Sequence, residues 1–313
     1  KTVKNSRCYL SPTLFREKIR GLSGINDPEV EDGIDLRGAN LSGFDFRVSV
    51  QEDDEGFYED IAILSNIHFE GAILRHCDFK EGKIHNCNFE GSDLAHCDFA
   101  NATLNGCNFQ ESDCIGMNLN GAKLTDCNFY DAVIKDIRMD STLVDEKTTF
   151  GKYLKSEKEG NFRFAAIEYK QIKEMNKNSS LHGIADHYHY KEMVAKRRAM
   201  KLSNPVRWIN FIFGDLLCGY GTSFVRVFLW SGMIMLLCSV LYYKFESLLF
   251  YNKDIYASFA DSVYFSMATF TTLGYGDFHA VGYLRYLTGL ESFVGAAMMA
   301  LFTVIVARNI IRD

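Results

Sequence analysis

Residues 92–114 read SDLAHCDFANATLNGCNFQESDC, with an inward-type residue at every fifth position: Leu94, Phe99, Leu104, Phe109 and Cys114. The register extends upstream through Phe89, Ile84, Phe79, Leu74, Phe69 and Leu64, and downstream through Leu119, Leu124, Phe129, Ile134, Met139 and Val144. Leu36, Leu41 and Phe46 begin the same column, for 20 repeats in all. Two residues before each runs a second column of mostly small groups, among them Ala72, Cys77, Ser92, Cys97 and Ala122. A period of five matches neither a helix nor a strand. It suits a chain that turns a corner at each repeat and sends both columns inward.

This pattern resembles the pentapeptide-repeat family and is nearly literal at Ala39-Asn40-Leu41 and Ser92-Asp93-Leu94. The resemblance implies a right-handed quadrilateral β-helix over residues 34–150. Twenty repeats make about five coils, and at ~4.8 Å per strand the rod is roughly 25 Å tall. Residues 1–33 read as an N-terminal cap segment, because a solenoid needs its ends covered. Arg47 to Ile61 interrupts the first coil with Glu52, Asp53, Asp54, Glu55, Glu59 and Asp60, and reads as a solvated loop. Cys77, Cys87, Cys97, Cys107 and Cys127 stand in the small column, where a thiol acts as a compact hydrophobe. Zinc ligands come in tighter pairs, and a reducing cytosol disfavours disulfides, so structural thiols are expected. Some members of this family mimic DNA with an acidic rod. Here Arg75, Lys80, Lys83, Lys123, Lys135 and Arg138 interrupt any uniform acidic face, and no nucleic-acid partner is expected.

The C-terminal third carries the second signal, Thr272-Leu273-Gly274-Tyr275-Gly276-Asp277, between two apolar segments. Val227 to Tyr243 and Ser292 to Ala307 are both unbroken by any charge. Spans are assigned at about 224–243 and 286–308, close to the ~20 residues a bilayer needs. The second must include Glu291. Either Glu291 sits near the outer interface, partly solvated, or it turns toward the pore helix, because a lipid-facing charge would be expensive.

Thr272, Leu273, Gly274, Tyr275 and Gly276 closely resemble the Thr-Val-Gly-Tyr-Gly selectivity filter of prokaryotic two-span potassium channels, with Leu in place of Val. The resemblance implies four copies around one axis. Backbone carbonyls of these five residues, with the Thr272 hydroxyl, then replace the hydration shell of K+. Carbonyls that point one way force alternate residues toward positive φ, which Gly274 and Gly276 allow. By the same resemblance Leu273 and Tyr275 point away from the axis and Asp277 stands at the outer mouth. Residues 257–271, free of Gly and Pro, form a re-entrant pore helix whose Tyr264 and Phe265 brace the filter. Ala268 stands where many relatives carry a carboxylate that pairs with the Asp after the filter. Gly295 falls where relatives often have a hinge glycine, and close helix packing explains it equally.

Between the two signals, residues 151–220 read as Phe162–Met175 and Ile184–Met200, a hairpin similar to the tetratricopeptide kind, followed by an apolar membrane-surface helix over Pro205–Cys218. Gly219-Tyr220-Gly221 lacks a preceding Thr and marks the turn into the pore domain, residues 221–313. Lys191, Lys196, Arg197, Arg198, Lys201 and Arg207 precede the first span, and Arg308 and Arg312 follow the second. The positive-inside rule therefore puts both termini in the cytoplasm, with the chain multi-pass in the inner membrane. The first 30 residues hold no apolar core of the ~7–15 residues typical of a signal peptide, so none is expected.

Composition alone is uninformative, since 47% hydrophobic residues and a net charge of −6 describe an ordinary soluble protein. No apolar segment carries the regularly spaced Arg or Lys of a voltage sensor, and no nucleophile–base motif or phosphate loop points to an enzyme. The expected protein is a multidomain homotetramer conducting K+ passively across the bilayer, with no cofactor beyond the permeant ions. Its repeat domain gates or assembles the pore, with an unidentified cytosolic ligand or partner as one route to doing so. The alternatives are a membrane-anchored repeat scaffold and a nonselective cation channel.

Overall fold

The computed structural model describes residues 36–44, 46, 48–51, 58–61, 63–245, 248–250 and 253–312. The cap segment at 1–33 and the acidic tip at 52–57 lie outside them. The chain forms two compact units, Lys1–Met200 and Lys201–Asp313. The division falls inside the 151–220 segment: its helical hairpin goes with the repeats, and its surface helix goes with the spans.

In the first unit, β3 (Ile63–Ser65), β4 (Lys83–His85), β5 (Thr103–Asn105), β6 (Lys123–Thr125) and β7 (Leu143–Val144) stack as one parallel sheet. Leu64 pairs with Ile84, Ile84 with Leu104 and Leu104 with Leu124, a step of four repeats each time. Single bridges repeat the step on three more faces, as in His68–Asn88, Ile73–Asp93 and Asp78–Asp98. Four repeats therefore close one coil, and the coil has four sides.

Both columns face inward and are buried. The large column stacks ring on ring: Phe69, Phe89, Phe109 and Phe129 lie 4.6–4.9 Å apart by centroid, with Phe150 next at 4.9 Å. The small column satisfies itself: Cys97 donates to the carbonyl of Leu74 at 2.8 Å, and Thr142 to that of Leu119 at 2.7 Å. Side chains outside continue the ladder. Asn128 donates to Asn108 at 3.1 Å and Asn108 to Asn88 at 3.0 Å. A coil this narrow turns sharply, and residues such as Asn86 and Asp126 take positive φ at its corners, a conformation Asn and Asp tolerate better than most.

The insertion differs from expectation. Instead of a plain loop it forms an antiparallel hairpin, β1 (Val48–Gln51) against β2 (Tyr58–Ile61), with Val48 opposite Ile61. It leaves the rod's register intact: Asn40 still bridges Ile73, so the whole insertion is spliced between two stacked positions without displacing either.

At the far end a short helix, α1 (Lys155–Lys158), leads into α2 (Phe162–Asn178) and α3 (His182–Arg198). This hairpin caps the rod. Ala165, Tyr169, Ile172 and Met175 share one core with the last coils. Gln171 donates to the Ile137 carbonyl at 2.8 Å, and the Val144 amide donates to Ser179 Oγ at 2.7 Å. The open edge of the sheet, a site for unwanted pairing, is thereby occupied. Between α2 and α3, Lys173 and the buried Glu192 pair at 2.8 Å. Burial acts to raise the Glu192 carboxyl, but Lys173 and Lys196 outweigh it and hold the group below its usual range.

The second unit begins with α4 (Pro205–Ile209), where Asn204 Oδ1 accepts from the Val206 amide at 2.9 Å and Pro205 fills the first turn. The next turns widen into a π-helix, Asn210–Leu216. Trp208, Ile209, Ile212 and Phe213 on these turns are exposed, as suits a membrane surface. The long helices α5 (Phe224–Lys244) and α7 (Leu284–Arg312) are apolar and long enough to cross a bilayer. Between them, α6 (Phe259–Phe270) packs against both. A three-stranded antiparallel sheet, β8 (Leu248–Phe250), β9 (Lys253–Tyr256) and β10 (Phe278–Ala280), closes the loops around α6. Nothing in the sequence marks these strands.

Candidate ion-conduction site

Helix α6 starts on a capping box. Ser258 Oγ accepts from the Asp261 amide at 3.2 Å, and the Asp261 carboxylate accepts from the Ser258 amide at 2.8 Å. This cap sets the start at Phe259 rather than Ala257. Twelve residues give about 18 Å of helix, too little to span a membrane. The helix ends at Phe270. The amides of Thr272 and Leu273 fold back onto the carbonyls of Thr269 and Ala268, at 3.0 and 2.9 Å.

Beyond it the backbone alternates. Thr272, Gly274 and Gly276 have φ of 59°, 55° and 80°, while Leu273 and Tyr275 between them do not lie in the left-handed region. Two of the three are glycines, which enter that region without penalty. Thr272 does so at a steric cost. Such an alternation turns successive carbonyls toward one side of the strand. Leu273 and Tyr275 are exposed in the single chain, at 63% and 68%.

The support around this loop comes from three elements. Tyr264 of α6 stacks on Tyr275, with centroids 6.3 Å apart and planes 14° apart, and meets Phe278 edge-on at 6.2 Å. Ala268 offers Asp277 no hydrogen-bonding side chain; the Asp277 carboxylate accepts from the Phe278 amide at 3.1 Å. Phe265 packs edge-on to Tyr242 of α5 at 5.2 Å.

Of the two placements open to Glu291, the buried one is observed. Glu291 is 2% exposed, with Tyr242 donating to Oε2 at 2.7 Å and Ser266 of α6 bonded to Oε1. It therefore ties α5, α6 and α7 together through one carboxyl group. Gly295 lies one turn further along α7, which runs unbroken from Leu284 to Arg312. A Cβ at Gly295 would fall 2.0 Å from the Phe270 carbonyl oxygen. Close approach of α7 to the end of α6 accounts for this glycine.

At the opposite end of the spans, Gly219, Tyr220 and Gly221 all have positive φ and form the turn into α5. Arg226 stays partly exposed, at 41% of its side chain, yet is anchored to the turn before it. It donates to the Asp215 carbonyl at 2.6 Å and lies 3.3 Å from the Asp215 carboxylate. Arg308 of α7 donates to the Gly221 carbonyl at 3.2 Å. The start of α5 and the end of α7 are thus tied to the surface helix and its turn. Sequence reasoning missed both arginine contacts, since each joins residues well separated in the chain.

With the geometry in place, comparison with known proteins agrees segment by segment. Residues 224–312 match the family model described as "Ion channel", and residues 62–144 match the one described as "Pentapeptide repeat region". The chain thus carries one segment similar to ion channels, with two helices long and apolar enough to span a membrane, and one similar to pentapeptide-repeat proteins. Among solved structures, the chain is similar to the pentapeptide repeat protein Rfr23 from the cyanobacterium Cyanothece 51142, at 22% identity over 38% of this chain and 89% of that one, with a TM-score of 0.28. It is also similar to a pentapeptide repeat protein from the Arabidopsis thaliana thylakoid lumen, at 22% identity over 41% and 68% of the two chains, with a TM-score of 0.16. No curated protein matches.

Proposed function

We propose that this protein is a potassium-selective channel, a homotetramer in the inner membrane with both termini in the cytoplasm. Four copies of Thr272–Gly276 line one axis. The carbonyls of Thr272, Leu273, Gly274, Tyr275 and Gly276, with the Thr272 hydroxyl, take the place of water around each ion. The observation that carries this reading is the positive φ at Thr272, Gly274 and Gly276, at the end of a helix too short to span a membrane. Neighbouring subunits would cover the exposed Leu273 and Tyr275.

In this reading Asp277 lies at the outer mouth, with Tyr264, Phe265 and Glu291 holding the filter from behind. The pentapeptide-repeat domain, a right-handed rod, acts on the cytosolic side as an assembly or gating element. No resident cofactor is needed, because permeant K+ ions are the cargo.

Flux from reconstituted vesicles tests the filter. Gly274→Ala puts a Cβ on a residue at φ 55° and is expected to abolish selective K+ flux. A variant that still passes K+ in preference to Na+ would sink the assignment.

A further inference from the structure

Where the cap meets the last coil, the first unit holds a cleft of about 240 Å³, open to solvent, that ion conduction does not use. Ile134 and Lys135 line it from the rod, and Lys155, Glu159, Phe164 and Glu168 from the cap. Glu168 is its most buried charge, at 5% exposure. Its carboxyl has Ser156 as its one hydrogen-bond partner among the described residues, and no Lys or Arg at ion-pair distance. A buried carboxylate without a counter-charge is costly. Burial pushes its carboxyl up, and Asp136 and Glu159 add to the effect against the Ser156 bond.

The other charges in the cleft are also uncommitted. Glu159 and Lys155 form no ion pair among the described residues, and Lys135 lies 4.8 Å over the Phe164 ring. Two carboxylates and two ammonium groups thus line one small space, and none of them pairs with another. We propose that this cleft binds a small zwitterion of amino-acid size. Its ammonium group sits on Glu168 and Glu159, its carboxylate turns to Lys135 and Lys155, and its hydrocarbon lies against Phe164 and Ile134.

Other ligand classes fit less well. A metal ion wants a shell of six or more oxygens, which an aromatic and aliphatic wall does not supply. A simple anion meets two carboxylates, and a simple cation meets two lysines. A cleft of about 240 Å³ has room for a ligand the size of a small amino acid. Because the walls come from the rod and the cap, a bound ligand stabilises the joint between them by mass action.

Thermal unfolding of the full chain in detergent, with each proteinogenic amino acid and a series of ω-amino acids, tests the proposal. Alkylamines and alkyl carboxylates of matching skeleton serve as half-ligands. At least one amino acid should raise the melting temperature, and its two half-ligands should do far less. Glu168→Gln should weaken binding tenfold or more. Should that variant fold poorly, Lys135→Ala with Lys155→Ala, both partly exposed positions, should weaken it similarly. The proposal is overturned if no amino acid binds, if an amine binds as well as its amino acid, or if affinity survives in the variants that fold. The readout is ligand-dependent stability rather than ion flux, so the outcome is independent of whether the pore selects potassium.

Discussion

Gly295 is the most closely approached of the described glycines in the second unit. With the Phe270 carbonyl oxygen 2.0 Å from any added Cβ, Gly295→Ala must push α7 away from the end of α6. Backbone does not yield as a flexible side chain does, so destabilisation of about 1–3 kcal/mol or more is expected, read as a lower melting temperature. A variant as stable as the parent would show that α7 packs more loosely. Glu291 makes a second case. Glu291→Ala removes the bond that joins Tyr242 and Ser266, leaving each hydroxyl its second partner, Thr288 Oγ1 at 3.3 Å and the Met235 carbonyl at 2.9 Å; a loss of about 1–3 kcal/mol is expected, while Glu291→Gln keeps the shape and should lose less. Equal melting temperatures for the two variants would mean that the hydrogen bonds contribute little. At this scale the sequence is only partly legible. Gly274 and Gly276 announce themselves by type and spacing. The Tyr264–Tyr275 stack and the role of Gly295 depend on which residues lie opposite, and no local pattern records that.

The rod is the most legible element, because its period of five runs along the sequence and the neighbour stacked on each residue lies four repeats further on. Its core should behave as a continuous stack. Phe109, fully buried between Phe89 and Phe129, should cost about 3–5 kcal/mol when replaced by Ala, measured by denaturant unfolding. A cost below about 1 kcal/mol would contradict a well-packed column. The thiols add a dependence on pH. Burial pushes the Cys87 and Cys114 thiols from 9.0 up to about 12. Between those values the unfolded chain ionises and the folded one does not. Their contribution is therefore complete below about pH 9 and is lost as pH rises toward 12, by ~1.4 kcal/mol per unit and thiol. Replacing both by Ala should flatten the decline in stability between about pH 9 and pH 11; an unchanged slope would contradict the burial argument. The short strands β8, β9 and β10 are not legible, since so few residues without alternation carry no period. The π-helix likewise follows from no visible feature of Asn210–Leu216.

At the scale of the molecule, the chain divides after Met200, whereas the change of period after Phe150 places the rod's boundary earlier. The hairpin α2–α3 reads as a separate helical element because its own periodicity is helical. Only its buried face, packed on the last coil, reveals it as the rod's cap. A fragment of residues 1–200 should accordingly fold as a soluble species with one cooperative transition, and a fragment ending at residue 150 should aggregate through its uncovered coil. If the shorter fragment is equally soluble and stable, the hairpin is not the cap. Potassium selectivity is tested by the reversal potential of the purified protein in a planar bilayer, with potassium on one side and sodium on the other. A reversal near the potassium equilibrium potential is the predicted result. Current that reverses near zero would contradict potassium selectivity and make the pore a nonselective cation channel.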